Sequence, residues 1–250
     1  MPYLTRPDGV RLYYEVTGSG DGVPLILTHG FGSSSRMWAG NAGAFAASRR
    51  VITWDLRGHG RSAAPEDQGL YTAEASVADL AALLDEAGAE RAVVGGLSLG
   101  GYLSLRFCAA YPDRVAALIL CDTGPGYRNE QARAEWNARA LAQADRIDRK
   151  GAAALGSDGP HHDSPAGVAR AARGILTQHD GTVIESLSSI TVPALVVVGS
   201  RDTPFLGAAS YLAAKIPGAK HVLIDGAGHM SNLDAPSEFN GEVLAFLAGL

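Results

Sequence analysis

Short apolar runs alternate with helical patterns along the chain, and this alternation constrains the fold more than any other feature. The runs are too short and too uniformly apolar to have a polar face, and they cover residues 25–27, 51–54, 92–94, 118–120, 195–198 and 222–224. Strands buried on both faces are typical of parallel sheets, whose pairing requires crossover connections. Helical patterns over residues 75–87, 102–111, 208–215 and 237–247 supply those crossovers. The pattern predicts an α/β fold with a doubly wound, mostly parallel sheet.

Two stretches depart from the alternation. Near the N-terminus, the turn Pro7-Asp8-Gly9 before a strand at residues 10–16 predicts an antiparallel hairpin. Between Thr123 and about Ile190, no β-branched run occurs, and helical periodicity appears at 130–144 and 165–176 around a Gly-rich and Pro-rich loop at 151–165. We therefore expect an α/β core of residues 1–123 and 191–250 with a short helical cap inserted at 124–190.

Composition excludes several classes of function. The 250 residues carry 21 Lys and Arg against 26 Asp and Glu, so the formal net charge is −5 and no basic stripe exists for nucleic acid. No apolar run is long enough to span a bilayer, and the N-terminus lacks a hydrophobic segment of the secretory type, so we expect a cytoplasmic protein without membrane contact. Cys108 and Cys121 are expected to be buried free thiols. The expected partner is a small molecule, and the sequence leaves the oligomeric state open.

The pentapeptide Gly96-Leu97-Ser98-Leu99-Gly100 lies between a predicted strand and a predicted helix. A serine in such a turn exposes its hydroxyl, and the flanking glycines let strand and helix approach closely. A glycine-rich turn that only reverses the chain is the alternative. A phosphate-binding loop would need Lys and then Ser or Thr after its last glycine, and a dinucleotide-binding loop would need glycine in place of Ser98. The sequence therefore predicts a serine nucleophile and no nucleotide cofactor.

A serine nucleophile needs a base, and seven histidines are available. His229 lies on a small-residue loop after the last strand, where it can reach the carboxyl edge of the sheet. The others are less well placed: His29 and His59 fall in turns before the serine, His161, His162 and His179 fall in the predicted cap, and His221 begins a strand. The pair His161-His162 is expected in a solvated loop, with no metal bound.

A carboxylate must hold the imidazole in one tautomer, and Asp202 follows the strand before the His229 loop. A helix cap before Pro204 is the alternative role for Asp202. Asp122, which follows the predicted strand at 116–121, is the competing candidate for the acid.

With the order Ser98, Asp202, His229 and the inserted cap, the sequence resembles the α/β-hydrolase superfamily over essentially its whole length. The resemblance implies that the backbone N–H groups of Phe31 and Leu99 form an oxyanion hole, and that no cofactor is required. It also implies that the polar residues of stretch 55–62 hold a turn beneath the site.

The resemblance narrows the reaction. Members that open epoxides or remove halide carry aspartate in place of serine in the turn between strand and helix (the nucleophile elbow, residues 96–100 here), so Ser98 argues against both activities. Stretch 31–38, the compact length and the short cap are similar to 3-oxoadipate enol-lactonases and small esterases. This implies a serine hydrolase that cleaves a small carboxylic ester or lactone through an acyl-enzyme intermediate. Two alternatives stay open: a carbon-carbon bond hydrolase of ring-cleavage diketones, and a small-molecule receptor of the same fold with little turnover.

Candidate substrate contacts are Trp38, Trp136 and Met230, although Trp136 could instead pack the cap onto the core. Residues 126–180 hold eight Lys or Arg and seven Asp or Glu, so this part is slightly basic in an acidic protein. Its first five arginines are Arg128, Arg133, Arg139, Arg146 and Arg149. They could attract a carboxylate-bearing substrate, with plain surface solvation as the alternative.

Overall fold

A seven-stranded sheet lies at the centre of the protein. The structure is a computed structural model that describes residues 3–250, and Met1 and Pro2 lie outside the described residues. The strands are β1 Tyr3–Thr5, β2 Arg11–Thr28, β3 Arg49–Trp54, β4 Ala92–Leu97, β5 Val115–Cys121, β6 Ala194–Gly199 and β7 Lys220–Ile224. They follow the order β1-β2-β4-β5-β6-β7, with β3 also paired to β2, and the pairs from β4 to β7 are parallel. The predicted doubly wound, mostly parallel sheet is confirmed.

Strand β2 wraps around β3, which the sequence did not predict. Its first half runs antiparallel to β3, with pairs from Tyr14–Trp54 to Thr17–Val51. Its second half runs parallel to β3, with pairs from Leu25–Val51 to Thr28–Trp54. The predicted strands at 10–16 and 25–27 are therefore two halves of one long strand. Gly18 permits the crossing because its φ is +83° and an added Cβ would lie 2.6 Å from the Ala46 carbonyl oxygen. The predicted N-terminal hairpin is confirmed by the antiparallel pairing of β1 with β2.

Helices cover both faces of the sheet because the inner strands are apolar on both faces. The core helices are α1 Ala39–Phe45, α2 Ala73–Glu86, α3 Leu99–Ala110, α7 Thr203–Lys215, α8 Ser231–Asp234 and α9 Pro236–Ala248. Alternate residues of β4 separate the two layers: Val94 packs with α2, α3 and α7, and Val93 packs with α1 and α9. Among residues 3–250, no helix is both long and apolar enough to cross a membrane.

The segment between β5 and β6, which we call the cap segment (residues 124–190), is helical. It contains α4 Glu130–Lys150, α5 Pro165–Gly174 and α6 Thr182–Ser186. The side chains of Asn129 and Ser164 accept hydrogen bonds from the first turns of α4 and α5, which fixes where these helices begin. The predicted loop at 151–165 is wrong over most of its length: Gly151–His161 forms short 3-10 helical turns that break at Gly156, whose φ is +59°.

Candidate active site

Three side chains meet at the carboxyl edge of the sheet, each delivered by a different strand. Ser98 follows β4, Asp202 follows β6 and His229 follows β7. His229 Nε2 lies 3.0 Å from Ser98 Oγ, and His229 Nδ1 lies 2.8 Å from Asp202 Oδ2. Since a carboxylate only accepts, Nδ1 carries the proton and Nε2 is free to accept from the serine hydroxyl. The arrangement suits transfer of the Ser98 proton to His229.

Ser98 occupies a strained turn between β4 and α3. Its φ is +55° and its ψ is −115°, a conformation that costs a non-glycine residue free energy. The flanking glycines are required by sterics, because a Cβ on Gly96 would lie 2.4 Å from the Gly100 carbonyl carbon and one on Gly100 would lie 2.1 Å from the Thr28 oxygen. Thr123 Oγ1 donates to the Ser98 carbonyl at 2.7 Å and helps to hold the turn.

The Asp202 side chain contacts the histidine and does not cap a helix. Asp202 stands at the N-cap position of α7, but its side chain makes no capping hydrogen bond there. It is 3% exposed, and its Oδ2 faces His229. Phe205, on the first turn of α7, stacks against the imidazole with ring centroids 4.8 Å apart. Asp202 and Phe205 together hold the His229 ring in one orientation.

Asp122, the competing acid, has a different set of contacts. Its Oδ1 accepts from the Gly199 N–H at 2.8 Å, and its Oδ2 accepts from both the N–H and the hydroxyl of Ser231. Burial raises the pKa of Asp122 to about 6, although these three donors favour the carboxylate. Asp122 therefore ties the start of the Asp202 loop to the end of the His229 loop, and the histidine itself is held by Asp202.

The expected oxyanion donors lie on two segments next to the serine. Leu99 is the first residue of α3, and Phe31 lies between Gly30 and Gly32 after β2. A Cβ on Gly30 would lie 3.5 Å from the Ser98 Cβ, so this loop passes directly beside the serine. Within residues 3–250, neither the Phe31 N–H nor the Leu99 N–H donates a hydrogen bond. Both groups remain available to an acceptor from outside the protein.

Three histidines are buried next to this loop. His29 and His59 each accept one backbone N–H and face one backbone carbonyl. Burial lowers the pKa of His29 and lowers that of His59 well below its usual value. The expectation of a solvated loop is wrong for His162, which is 7% exposed and hydrogen-bonded at both ring nitrogens. Within residues 3–250, no cluster of His, Cys, Asp or Glu suits a metal ion.

The turn at 55–62 is held by buried polar contacts. Asp55 accepts from the Ser35 N–H at 2.6 Å and from the Arg61 N–H at 2.8 Å. Arg57 is buried against Asp79, with Nε 2.6 Å from the carboxylate. The expected structural role of this stretch beneath the site is confirmed. Both cysteines are free and buried, as predicted.

A cavity of about 170 Å³ opens beside Ser98, under the cap segment. Its walls include Leu99, Tyr102, Trp136, Leu176, Gln178 and Phe205. Trp136 lines the cavity, and its indole N–H donates to the Leu176 carbonyl at 2.8 Å within the cap segment.

The other two expected substrate contacts lie outside the cavity wall. The expectation that Trp38 contacts the substrate is wrong. Trp38 is fully buried on the opposite face of the sheet against Phe239, where it fills the layer between α1 and α9. Met230 is 41% exposed next to His229 and does not line the cavity.

Three residues near the site were missed from the sequence: Phe205, His162 and Gln178. Phe205 could have been suspected, because it lies in the turn that follows Asp202. Gln178 is 7% exposed and lines the cavity, yet its Oε1 has no hydrogen-bond partner within residues 3–250. Nothing local in the sequence distinguishes Gln178 or His162, because their environments arise from tertiary packing.

Comparisons with known proteins agree with this architecture. The sequence model described as alpha/beta hydrolase fold matches residues 23–166, so the chain belongs to the α/β-hydrolase family, and the protein is a hydrolase. It is 33% identical to the dihydrolipoyllysine-residue acetyltransferase component of the acetoin cleaving system of Pseudomonas putida, over 94% of this chain and 66% of that protein.

Two further relatives match over nearly their full lengths. The chain is 28% identical to 3-oxoadipate enol-lactonase 1 of Acinetobacter baylyi, over 94% of this chain and 92% of that protein. It is also similar to the solved structure of a thermophilic esterase from Thermogutta terrifontis, with 29% identity, a TM-score of 0.82 and coverage of 99% and 97% of the two chains. The relatives thus carry lactonase, esterase and acyltransferase names.

Proposed function

We propose that this protein hydrolyses a small carboxylic ester or lactone through an acyl-enzyme on Ser98. The observation that carries the proposal is the continuous hydrogen-bond chain from Ser98 Oγ through His229 to Asp202, with distances of 3.0 Å and 2.8 Å. Because Nδ1 is protonated toward Asp202, the neutral imidazole has its basic nitrogen at the serine. The lactonase and esterase names of the relatives support the same class of substrate.

In the first half of the reaction, Ser98 Oγ attacks the substrate carbonyl carbon while His229 Nε2 takes the hydroxyl proton. The carbonyl oxygen becomes an oxyanion, and the unpaired N–H groups of Phe31 and Leu99 donate to it. Collapse of the tetrahedral intermediate breaks the ester bond, and the leaving oxygen receives the proton from His229. For a lactone, the leaving hydroxyl stays attached to the acyl group.

In the second half, water repeats these steps on the acyl-enzyme. His229 removes a proton from the water, the resulting hydroxide attacks the acyl carbon, and the proton returns to Ser98 Oγ as the carboxylic acid leaves. Asp202 stabilises the imidazolium in both halves, since its buried carboxylate lies 2.8 Å from Nδ1.

The cavity wall suggests that the substrate is compact and carries a polar group. A cavity of about 170 Å³ suits a short acyl chain. The buried Gln178 Oε1 would be satisfied by a substrate hydroxyl or N–H group that donates to it. Arg139, which also lines the cavity and forms no ion pair within residues 3–250, would favour a carboxylate on that substrate.

The test is a panel of lactones, short p-nitrophenyl esters and ring-cleavage diketones with wild type and Ser98→Ala. We expect steady turnover of lactones or esters, and a loss of at least about 10³-fold in kcat/KM for the variant. Leu97→Ala, which removes a buried neighbour of Ser98 that carries no proton-transfer group, is the control for disturbance of the turn. Rapid turnover of diketones alone, or one slow acylation followed by tight ligand retention, would contradict the proposal and favour one of the two alternatives.

A further inference from the structure

The loop that carries the Phe31 N–H is held by three histidines in a regular order. The Gly30 carbonyl lies 2.7 Å from His29 Nδ1, and the Gly32 N–H donates to His59 Nε2 at 3.2 Å. The Gly32 carbonyl lies 2.9 Å from His162 Nε2. Each contact falls on a different peptide group, so three consecutive peptide planes are each fixed by one imidazole.

Peptide planarity makes this arrangement important for the expected oxyanion hole. The Gly30 carbonyl and the Phe31 N–H belong to one rigid unit, so the histidine that fixes the carbonyl also fixes the direction of the N–H. The Gly32 carbonyl and the Ser33 N–H also share one rigid unit, and this Ser33 N–H donates to the Gly30 carbonyl at 3.2 Å. Gly32 has a φ of +73°, and glycine permits alternative backbone conformations, so the orientation of this unit depends on its hydrogen bonds. Rotation of the Gly32–Ser33 unit would break its hydrogen bond to the Gly30 carbonyl and so disturb the unit that carries the Phe31 N–H.

Each of the three imidazoles uses both ring nitrogens, one as acceptor from a backbone N–H and the other facing a backbone carbonyl. His29 Nε2 accepts from the Leu56 N–H at 3.0 Å, His59 Nδ1 faces the Arg57 carbonyl at 3.1 Å, and His162 Nδ1 accepts from the Gly60 N–H at 2.9 Å. Each ring therefore joins the oxyanion loop to the turn at 55–62. The rings also pack in sequence, with centroids 5.0 Å apart for His29 and His59 and 5.7 Å apart for His59 and His162.

His162 differs from the other two because it belongs to the cap segment. It directly follows the 3-10 turns of residues 151–161, and the neighbouring Asp163 N–H donates to the Gly60 carbonyl at 3.0 Å. The Phe31 side chain packs on the apolar cluster of the cap segment that includes Ile147 and Val168. The cap segment thus touches the loop at the Phe31 ring and at the Gly32 peptide.

We propose that His162 is a positioning residue for the oxyanion hole: by bridging the Gly32 carbonyl and the Gly60 N–H, it fixes the loop that aims the Phe31 N–H at the reacting carbonyl. This inference rests on the proposed function, in which that N–H stabilises the oxyanion. His162 touches no substrate and exchanges no proton with it. Its effect is on the transition state, where donors must lie within hydrogen-bond distance of the charged oxygen.

The variants separate hydrogen bonding from packing. His162→Leu and His162→Phe fill the site without either hydrogen bond, and Phe keeps an aromatic ring beside His59. His162→Gln supplies an amide oxygen for the Gly60 N–H and an amide N–H for the Gly32 carbonyl. His161→Leu is the matched control, since His161 is the exposed neighbour on the same segment.

For a p-nitrophenyl ester, we expect His162→Leu and His162→Phe to lower kcat by about 10-fold to 100-fold with little change in KM. The inhibition constant of a boronic acid, which forms a tetrahedral adduct on Ser98, should rise in parallel. His162→Gln should recover most of the lost kcat, and His161→Leu should match wild type. Thermal unfolding of each variant sets an assay temperature at which all are folded, and if His162→Leu does not fold, Phe and Gln carry the comparison.

A different set of results would overturn the inference. Unchanged kcat in both apolar variants would refute it, as would a loss of stability with kcat and boronate affinity intact. A fluorophosphonate that labels Ser98 separates this failure from failure of the proposed function. Absence of labelling and of ester turnover in wild type would reject the proposed function. Normal wild-type labelling with equal labelling rates in the His162 variants would reject only the positioning role.

Discussion

The two aspartates at the site allow one matched comparison, Asp202→Asn against Asp122→Asn. In the first variant, an amide nitrogen facing His229 would force the tautomer with its proton on Nε2, which cannot accept from Ser98. If the amide oxygen faces His229 instead, the tautomer survives but the negative charge 2.8 Å from Nδ1 is lost. We expect kcat/KM to fall roughly 10³-fold to 10⁴-fold, or about 4 to 5.5 kcal/mol of transition-state stabilisation.

Asp122→Asn should act mainly on stability. One amide oxygen can still accept from the Gly199 N–H or from Ser231, but the amide nitrogen then faces a donor at the other position. Loss of one or two buried hydrogen bonds costs about 1 to 3 kcal/mol each. For a chain of this size, each kcal/mol corresponds to roughly 2 to 4 °C in Tm. Activity should stay within about tenfold of wild type, because the contact of His229 with Asp202 is intact.

Ester kinetics and thermal unfolding of both variants, measured at one pH, decide the question. We expect Asp202→Asn to lose activity with a small change in Tm, and Asp122→Asn to lose Tm with a small change in activity. Similar circular dichroism spectra confirm that both variants are folded. The reverse ranking of activities would refute the reasoning and transfer the acid role to Asp122.

Three further expectations concern the elbow, the buried histidines and the cavity. Gly100→Ala should lower the free energy of unfolding, measured in urea, by about 1 to 3 kcal/mol or more, since its Cβ would lie 2.1 Å from the Thr28 oxygen. The control Gly241→Ala in α9 should be neutral or stabilising, because its Cβ meets nothing within 4 Å. Burial lowers the pKa of His59 in the folded state, so the unfolded chain is protonated first as the pH falls. Below pH about 6.5, the wild type should therefore lose stability relative to His59→Gln. Parallel pH dependence of stability in the two proteins would contradict this. Added salt should lower kcat/KM for a carboxylated lactone but not for a neutral ester, because ions screen charges beyond about 8 to 10 Å. Arg139→Met should remove this difference in salt response between the two substrates. The control variant Arg149→Met should keep it.

The sequence predicted those parts of the site that depend on local structure. Ser98 follows its strand directly, Asp202 and His229 lie on short loops after theirs, and the carboxyl ends of parallel strands share one edge of a sheet. Their approach could therefore be predicted without knowing any long-range contact. The same local patterns predicted the order of strands and core helices along the chain.

The parts that escaped prediction depend on distant partners. The environment of His162 is set by Gly32 and Gly60, which lie more than a hundred residues earlier in the sequence. Trp38 was expected to contact the substrate, but its position is set by packing against Phe239. The wrapping of β2 around β3 is equally nonlocal, since residues 14–17 and 25–28 of β2 both pair with β3. Periodicity carries no information about such pairings.

The distribution of the site over separate strands has a consequence for the folding of this chain. Ser98 and His229 are 131 residues apart in sequence, and the contact between them needs β4 through β7 to be paired in register. Closing so long a loop is slow relative to forming helices. In refolding from denaturant, recovered hydrolysis should therefore lag behind the return of helical circular dichroism, and a nascent chain on the ribosome should stay inactive until His229 has emerged and docked.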